Sequence, residues 1–116
     1  MRDVSDQLLD RIALRFRALG NPVRLRILHA LEKGDLSVGQ VQQSAGCSQA
    51  NASKHLRVLY NVGLVTSRRE GTSVYYRLRD EGVLSLCEAV CDSLYASASA
   101  DVEAIEVGRE RILAAK

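Results

Sequence analysis

The chain has no tryptophan, one phenylalanine and four tyrosines in 116 residues. Its core must therefore rest on Leu, Val, Ile and Ala, and a small domain with so few large aromatics gains from burying further surface in a dimer. A single proline and 47% hydrophobic residues exclude a disordered chain. No apolar run approaches the ~18 residues of a membrane span. Met1–Asp10 is too polar for a signal peptide, so a cytoplasmic protein with no membrane partner is expected. Three cysteines, Cys47, Cys87 and Cys91, give neither a disulfide framework nor a zinc-ribbon CxxC pair. In the cytoplasm they are expected to rest reduced. There is no Gly-rich phosphate loop, no acidic dyad and no His close in sequence to Cys87 and Cys91, which argues against an enzyme.

What charge there is sits unevenly. The net charge is only +2, yet Ser48 to Arg79 carries Lys54, Arg57, Arg68, Arg69, Arg77 and Arg79 against the one acid Glu70. A basic stretch inside a chain that is otherwise net acidic is the footprint of a nucleic-acid contact. A solvated, Arg-rich hairpin explains the same charges equally well.

Hydrophobic spacing orders the chain. Leu8, Leu9, Ile12, Phe16 and Leu19 recur at helical intervals from Ser5 to Leu19, and Gly20 ends that helix. Asn21 as N-cap with Pro22 at the first helical position starts a second helix through Val23, Leu25, Ile27, Leu28 and Leu31, stopping at Gly34. Ser37 to Ala45 reads as a short third helix, with Ser37 as a candidate cap and Val38 and Val41 inward. Ser48 caps a fourth helix to about Asn61, with Ala52, Leu56 and Leu59 inward, ending at Gly63. The period then changes: Leu64–Arg69 and Ser73–Leu78 read as a two-stranded hairpin about a Glu70-Gly71-Thr72 turn. From Glu81 a helical stripe of Val83, Leu86, Cys87, Val90 and Leu94 returns. Ser97–Asp101 weakens it, and Val102–Lys116 either continues that helix or forms a short extra one.

The expected fold is thus mainly α with a two-stranded β-hairpin wing, a winged helix-turn-helix filling residues 1–116 as one domain. Ala45-Gly46-Cys47-Ser48 has the length of a helix-turn-helix turn. The helix after it opens with Ser48, Gln49, Asn51 and Ser53, small and amide side chains that let a helix approach base edges. Lys54, Arg57 and the helix N-terminus suit phosphates. His55 either contacts DNA or closes the edge of the core. Arg68 and Arg69 lie beside the groove if the hairpin is a wing, and the partner is then double-stranded operator DNA.

Asn21-Pro22-Val23-Arg24-Leu25-Arg26-Ile27-Leu28 resembles the opening of the ArsR/SmtB repressors. So do Ser48-Gln49-Ala50-Asn51-Ala52-Ser53-Lys54-His55-Leu56-Arg57-Val58-Leu59 with Gly63-Leu64-Val65, and Arg68-Arg69-Glu70-Gly71 with Val74-Tyr75-Tyr76-Arg77-Leu78. The resemblance covers roughly residues 6–95. It implies a homodimer built from the first and last helices, operator binding, and release on a metal, metalloid, redox or small-molecule signal. The sensor sites of the family do not all carry over. The zinc type needs His and carboxylates on the last helix, whereas His29 and His55 lie elsewhere. The Cys-x-Cys type needs cysteines on the third helix, where Gln40–Ala45 has none, and the persulfide type needs a cysteine on the second helix, which also has none.

Cys87 and Cys91 remain. Four residues apart, they share a helical face with Cα atoms ~6 Å apart, too parallel for an unstrained disulfide. Adjacent thiolates suit a soft ion such as arsenite, cadmium or mercury, with a third ligand from a partner chain. Oxidants and reactive sulfur are further thiol-directed signals, and no resident cofactor is required. Both residues also fall on or beside the apolar stripe, where free Cys commonly packs as a small hydrophobe. A winged-helix DNA binder with structural cysteines, and a different effector or none, fits the same pattern. Cys47, just before the fourth-helix cap, is a place where oxidation would interfere with DNA.

Overall fold

A computed structural model describes residues 5–114. The chain divides into two compact units, Met1–Glu81 and Gly82–Lys116.

In the first unit, side-chain caps set where helices begin. α1 (Asp6–Leu19) starts at Ser5, whose hydroxyl accepts from the Leu8 N–H at 3.2 Å. α2 (Pro22–Leu31) starts at Asn21, whose Oδ1 accepts from the N–H groups of Val23 and Arg24, with Pro22 opening the helix. Such a cap contributes about 1 kcal/mol. α2 stops at Leu31 rather than running on to Gly34. α3 (Val38–Ala45) opens with a capping box: Ser37 Oγ accepts from the Gln40 N–H, and Gln40 Oε1 accepts from the Ser37 N–H at 2.9 Å. α4 (Gln49–Asn61) is capped by Ser48, whose Oγ accepts from the Asn51 N–H at 3.2 Å.

Between α3 and α4, Gly46 takes φ +66°, a left-handed conformation open to glycine at little cost. Its N–H and that of Cys47 both donate to the Gln42 carbonyl, at 3.0 and 3.3 Å. This closes α3 in one step and redirects the chain into α4.

The expected two-stranded hairpin is part of a three-stranded antiparallel sheet. β2 (Val65–Glu70) and β3 (Ser73–Leu78) pair from Val65–Leu78 out to Glu70–Ser73, joined by Gly71-Thr72. A two-residue strand, β1 (Leu36–Ser37), adds to the other edge of β3 opposite Tyr76 and Tyr75. The base of β3 would otherwise present unpaired backbone groups, and β1 satisfies them. Ser37 serves both as strand residue and as helix cap, so the sheet and α3 share one residue.

The core collects Ala18 of α1, Ile27, Leu28 and Leu31 of α2, Val41 and Ala45 of α3, Ala52, Leu56 and Leu59 of α4, and Val65 of β2. α2, α3 and α4 pack on one another and α1 packs on α2. Of the residues expected inward, Val41, Ala52, Leu56 and Leu59 are fully buried and Val38 is half-buried. The α1 stripe differs: Leu8, Leu9 and Phe16 remain exposed.

The second unit is one helix, α5 (Gly82–Ala114), 33 residues long. Ser97–Asp101 does not interrupt it. Ala98 and Ala100 are strong helix formers, and Ser and Asp cost only about 0.5 kcal/mol each. Val102 onward continues the same helix as far as Ala114. Met1–Val4 of the polar N-terminal stretch, and the end of the tail at Ala115 and Lys116, lie outside the described residues. Among the described residues no helix is long and apolar enough to cross a membrane.

Candidate nucleic-acid interface

α4 presents two unlike faces. Ala52, Leu56 and Leu59 point into the core. Ser48, Gln49, Asn51, Ser53, Lys54 and Arg57 are all exposed. Lys54 and Arg57 carry no ion pair among the described residues. The side chains of Gln49 and Asn51 are likewise uncommitted, since the cap uses only the backbone N–H of Asn51. The cap occupies an acceptor site on Ser48 and leaves its O–H free to donate. The arrangement offers a helix N-terminus with unmade N–H groups, two free amides and two free cations on one exposed surface. Its chemistry matches a polyanion read along an edge of stacked bases.

His55 stands apart from this set. It is half-buried, and its Nδ1 lies 3.3 Å from Arg24 Nη1. Burial, then the cations of Arg24 and Lys54, hold its pKa below the usual histidine value. The neutral ring keeps Nδ1 as an acceptor toward Arg24. The side chain therefore faces the scaffold through one nitrogen.

The wing arginines separate as well. Successive residues of a strand point to opposite faces. Arg68 shares a face with Tyr75, its cross-strand partner, while Arg69 lies opposite Val74 on the other face. Arg68 is engaged: its guanidinium pairs with Asp35, donates from Nε to Glu70 at 3.1 Å, and lies 5.0 Å from the Tyr75 ring centroid. Arg77 also approaches Asp35, at 3.9 Å. Arg69 is exposed and has no ion pair among the described residues. It is a free cation of the hairpin among the described residues, whereas Arg68, with Arg77 more distantly, ties the hairpin to the loop before β1. Asp35 lies outside every motif, and the motifs that contain Arg24 and Tyr75 do not say what those two side chains touch. Their roles come from contacts across 33, 31 and 7 residues of sequence, which spacing cannot reveal.

The cysteines occupy two places. Cys47 sits half-buried in the turn before α4. Cys87 and Cys91 lie one turn apart on α5, the first half-buried and the second exposed. Among the described residues no three His, Cys, Asp or Glu side chains gather into a metal-binding group.

The chain is similar to several known proteins. A helix-turn-helix domain model matches residues 19–68, which run from the end of α1 into the wing. The chain is 40% identical over 101 residues to an HTH-type transcriptional regulator, Rv0324, of Mycobacterium tuberculosis, covering 82% of this chain but only 45% of that protein. It is 40% identical over 88 residues to a cadmium resistance transcriptional regulatory protein CadC homolog of Staphylococcus aureus, covering 75% of this chain and 73% of that one. Its structure resembles the solution structure of the homodimeric winged helix-turn-helix DNA-binding domain of a possible ArsR-family regulator from Mycobacterium bovis. The TM-score is 0.71 at 37% identity, over 82% of this chain and 94% of that domain.

Proposed function

The chain belongs to the ArsR/SmtB family of winged helix-turn-helix transcriptional regulators, not to an enzyme family, and from that premise we propose that it is a homodimeric operator-binding repressor released by a thiol-directed signal at Cys87 and Cys91. The observation that carries the DNA half of this reading is the exposed face of α4, where the side chains of Gln49, Asn51, Lys54 and Arg57 make no hydrogen bond or ion pair among the described residues. Arg69 of the wing extends the same chemistry. Base edges are read from α4, and phosphates are held by Lys54, Arg57, Arg69 and the helix N-terminus.

A homodimer built from α1 and α5 accounts for what both helices leave uncovered. Leu8, Leu9 and Phe16 on α1, and Leu86, Val90 and Leu94 on α5, are exposed in one chain. The Mycobacterium bovis relative is a homodimer. Two copies of α4 would then meet successive major grooves about one DNA turn apart.

The sensor half rests on the pair of thiols one turn apart, one of them open to solvent. Two thiolates at that spacing suit As(III), cadmium or another soft ion, and an oxidant or reactive sulfur species attacks the same groups. The CadC homolog carries cadmium resistance in its name. With no third ligand gathered within the described residues, a metal would draw on the partner chain. The competing reading, structural cysteines in a regulator with another effector or none, is favoured by the half-buried place of Cys87 on the apolar stripe of α5, with Cys91 beside it.

One experiment separates the two. Operator binding is measured by mobility shift with arsenite, cadmium, peroxide or persulfide, for the parent and for a Cys87→Ala, Cys91→Ala variant. The expected result is release of the parent by at least one agent and a variant that binds DNA and ignores it. A variant released like the parent would make the pair structural.

A further inference from the structure

We propose that Arg15 and Arg24 are positioning residues that fix the recognition helix α4 against α1, so that operator reading depends on where α1 lies. The proposal rests on the reading of α4 as the DNA-reading helix and names the contacts through which the first helix would govern it.

Arg24 opens α2 and spends its guanidinium on two neighbours at once. Its Nε donates to the Ala18 carbonyl at 2.6 Å and its Nη2 to the Arg17 carbonyl at 3.2 Å, both at the C-terminal end of α1. Its third nitrogen, Nη1, faces His55 Nδ1 on α4 at 3.3 Å. The last carbonyls of a helix lack partners inside the helix and carry partial negative charge, so a cation placed there is stabilised. The fork geometry of guanidinium lets one rigid plane serve three acceptors, which an ammonium cannot do. His55 is kept neutral by burial and by the neighbouring cations, and so retains the lone pair this contact needs.

Arg15 makes the second tie. From the middle of α1 its Nε donates to the Val62 carbonyl at 3.0 Å, and Val62 is the C-cap of α4. The approach is close: a Cβ added at Gly63 would lie 3.2 Å from Arg15 Nη2. Among the described residues this is the direct polar contact between α1 and α4. α4 is therefore tied to α1 at two points, directly at Val62 by Arg15 and at His55 through Arg24 of α2. Two points along one helix define its axis. A shift of α1 moves both and re-aims the exposed face of α4. Neither arginine needs to touch DNA for these contacts to act.

The test compares operator and random DNA of equal length for Arg15→Ala, Arg15→Lys, Arg24→Ala and Arg24→Lys, with Gln49→Ala as reference and a thermal melt for each. Arg15→Ala and both Arg24 variants are expected to lose about tenfold in operator affinity, the order of a coupling lost from a shared network. Affinity for random DNA should change less than twofold. Arg15→Lys should recover most of the loss, because one donor satisfies Val62, whereas Arg24→Lys should not. If Arg24→Ala melts early, Arg24→Lys and Arg15→Ala carry the comparison. An unchanged ratio of operator to random binding in those two, beside a lowered ratio in Gln49→Ala, overturns the positioning role alone. An unchanged ratio in Gln49→Ala as well overturns α4 as the reading helix, and this proposal with it.

Discussion

α4 and α5 both carry an apolar stripe, yet among the described residues α4 buries its stripe and α5 leaves most of its own exposed. α4 places Ala52, Leu56 and Leu59 in complete burial and is capped at its start by Ser48. α5 is more than twice as long and buries only Val83 among its described residues, while Leu94 and Ile105 are 67% and 70% exposed. The contrast separates two things that apolar spacing tends to merge. Spacing says that a helix has a face to cover, and it is silent on which molecule covers it. For α4 the cover is α2, α3 and β2. For α5 the proposed cover is a second copy.

The largest expected effect tests that contrast directly. Leu56→Ala should cost ~2–5 kcal/mol of stability, seen as an early urea midpoint, because the side chain is fully buried. Leu94→Ala should change the unfolding of one chain by less than ~0.5 kcal/mol. It should instead make the melting temperature more dependent on protein concentration. Equal costs at the two positions would erase the distinction between the helices.

Next in size come the free amides of α4. Gln49→Ala and Asn51→Ala should each lose ~1–3 kcal/mol of discrimination between operator and random DNA with no change in melting. Unchanged discrimination in both variants would mean that α4 does not read the bases.

A smaller effect distinguishes the wing arginines. Arg69→Ala should lower the slope of log affinity against log salt by about one, the signature of one lost phosphate contact. Arg68→Ala should leave that slope nearly unchanged, because Asp35 and Glu70 already neutralise it. Equal slopes for both variants would show that the free and the paired arginine are equivalent on DNA.

The smallest effect is a pH dependence localised to α4. His55 has a lowered pKa when folded, so the unfolded chain takes up its proton first as pH falls. Stability from this residue is complete above the ordinary value near 6.5 and is lost as pH falls through the lowered folded value. Melting temperature should thus drop between neutral and mildly acidic pH, and His55→Gln should reduce the drop. An unaltered drop in that variant would assign it to other groups.

Much of the frame could be read from the chain itself. Asn21-Pro22, Ser37 and Ser48 announce helix starts through side-chain chemistry that acts within three residues, and the structure uses each as read. The α4 core positions followed from their spacing. β1 could not be seen, because two residues carry no period and their pairing partner lies on β3. Ser97–Asp101 lowers helix propensity but contains no residue that forbids a helix, and of the two alternatives for Val102 onward the structure takes continuation. At the site, the exposed set from Ser48 to Arg57 was legible as a group. The split between Arg68 and Arg69 was implicit in strand alternation, but the hold of Asp35 on Arg68 and of Arg24 on His55 depends on tertiary neighbours.

The wing also constrains how such a protein can drift. Its strands meet in a two-residue loop, and its two adjacent arginines have opposite duties, one held by Asp35 and the other free. Inserting or deleting a single residue within β2 would turn every following side chain to the other face and exchange those duties. A change of two residues would preserve them. Lineages that keep this wing working should therefore vary its strand length by even steps, and an odd step should survive only where a bulge absorbs it.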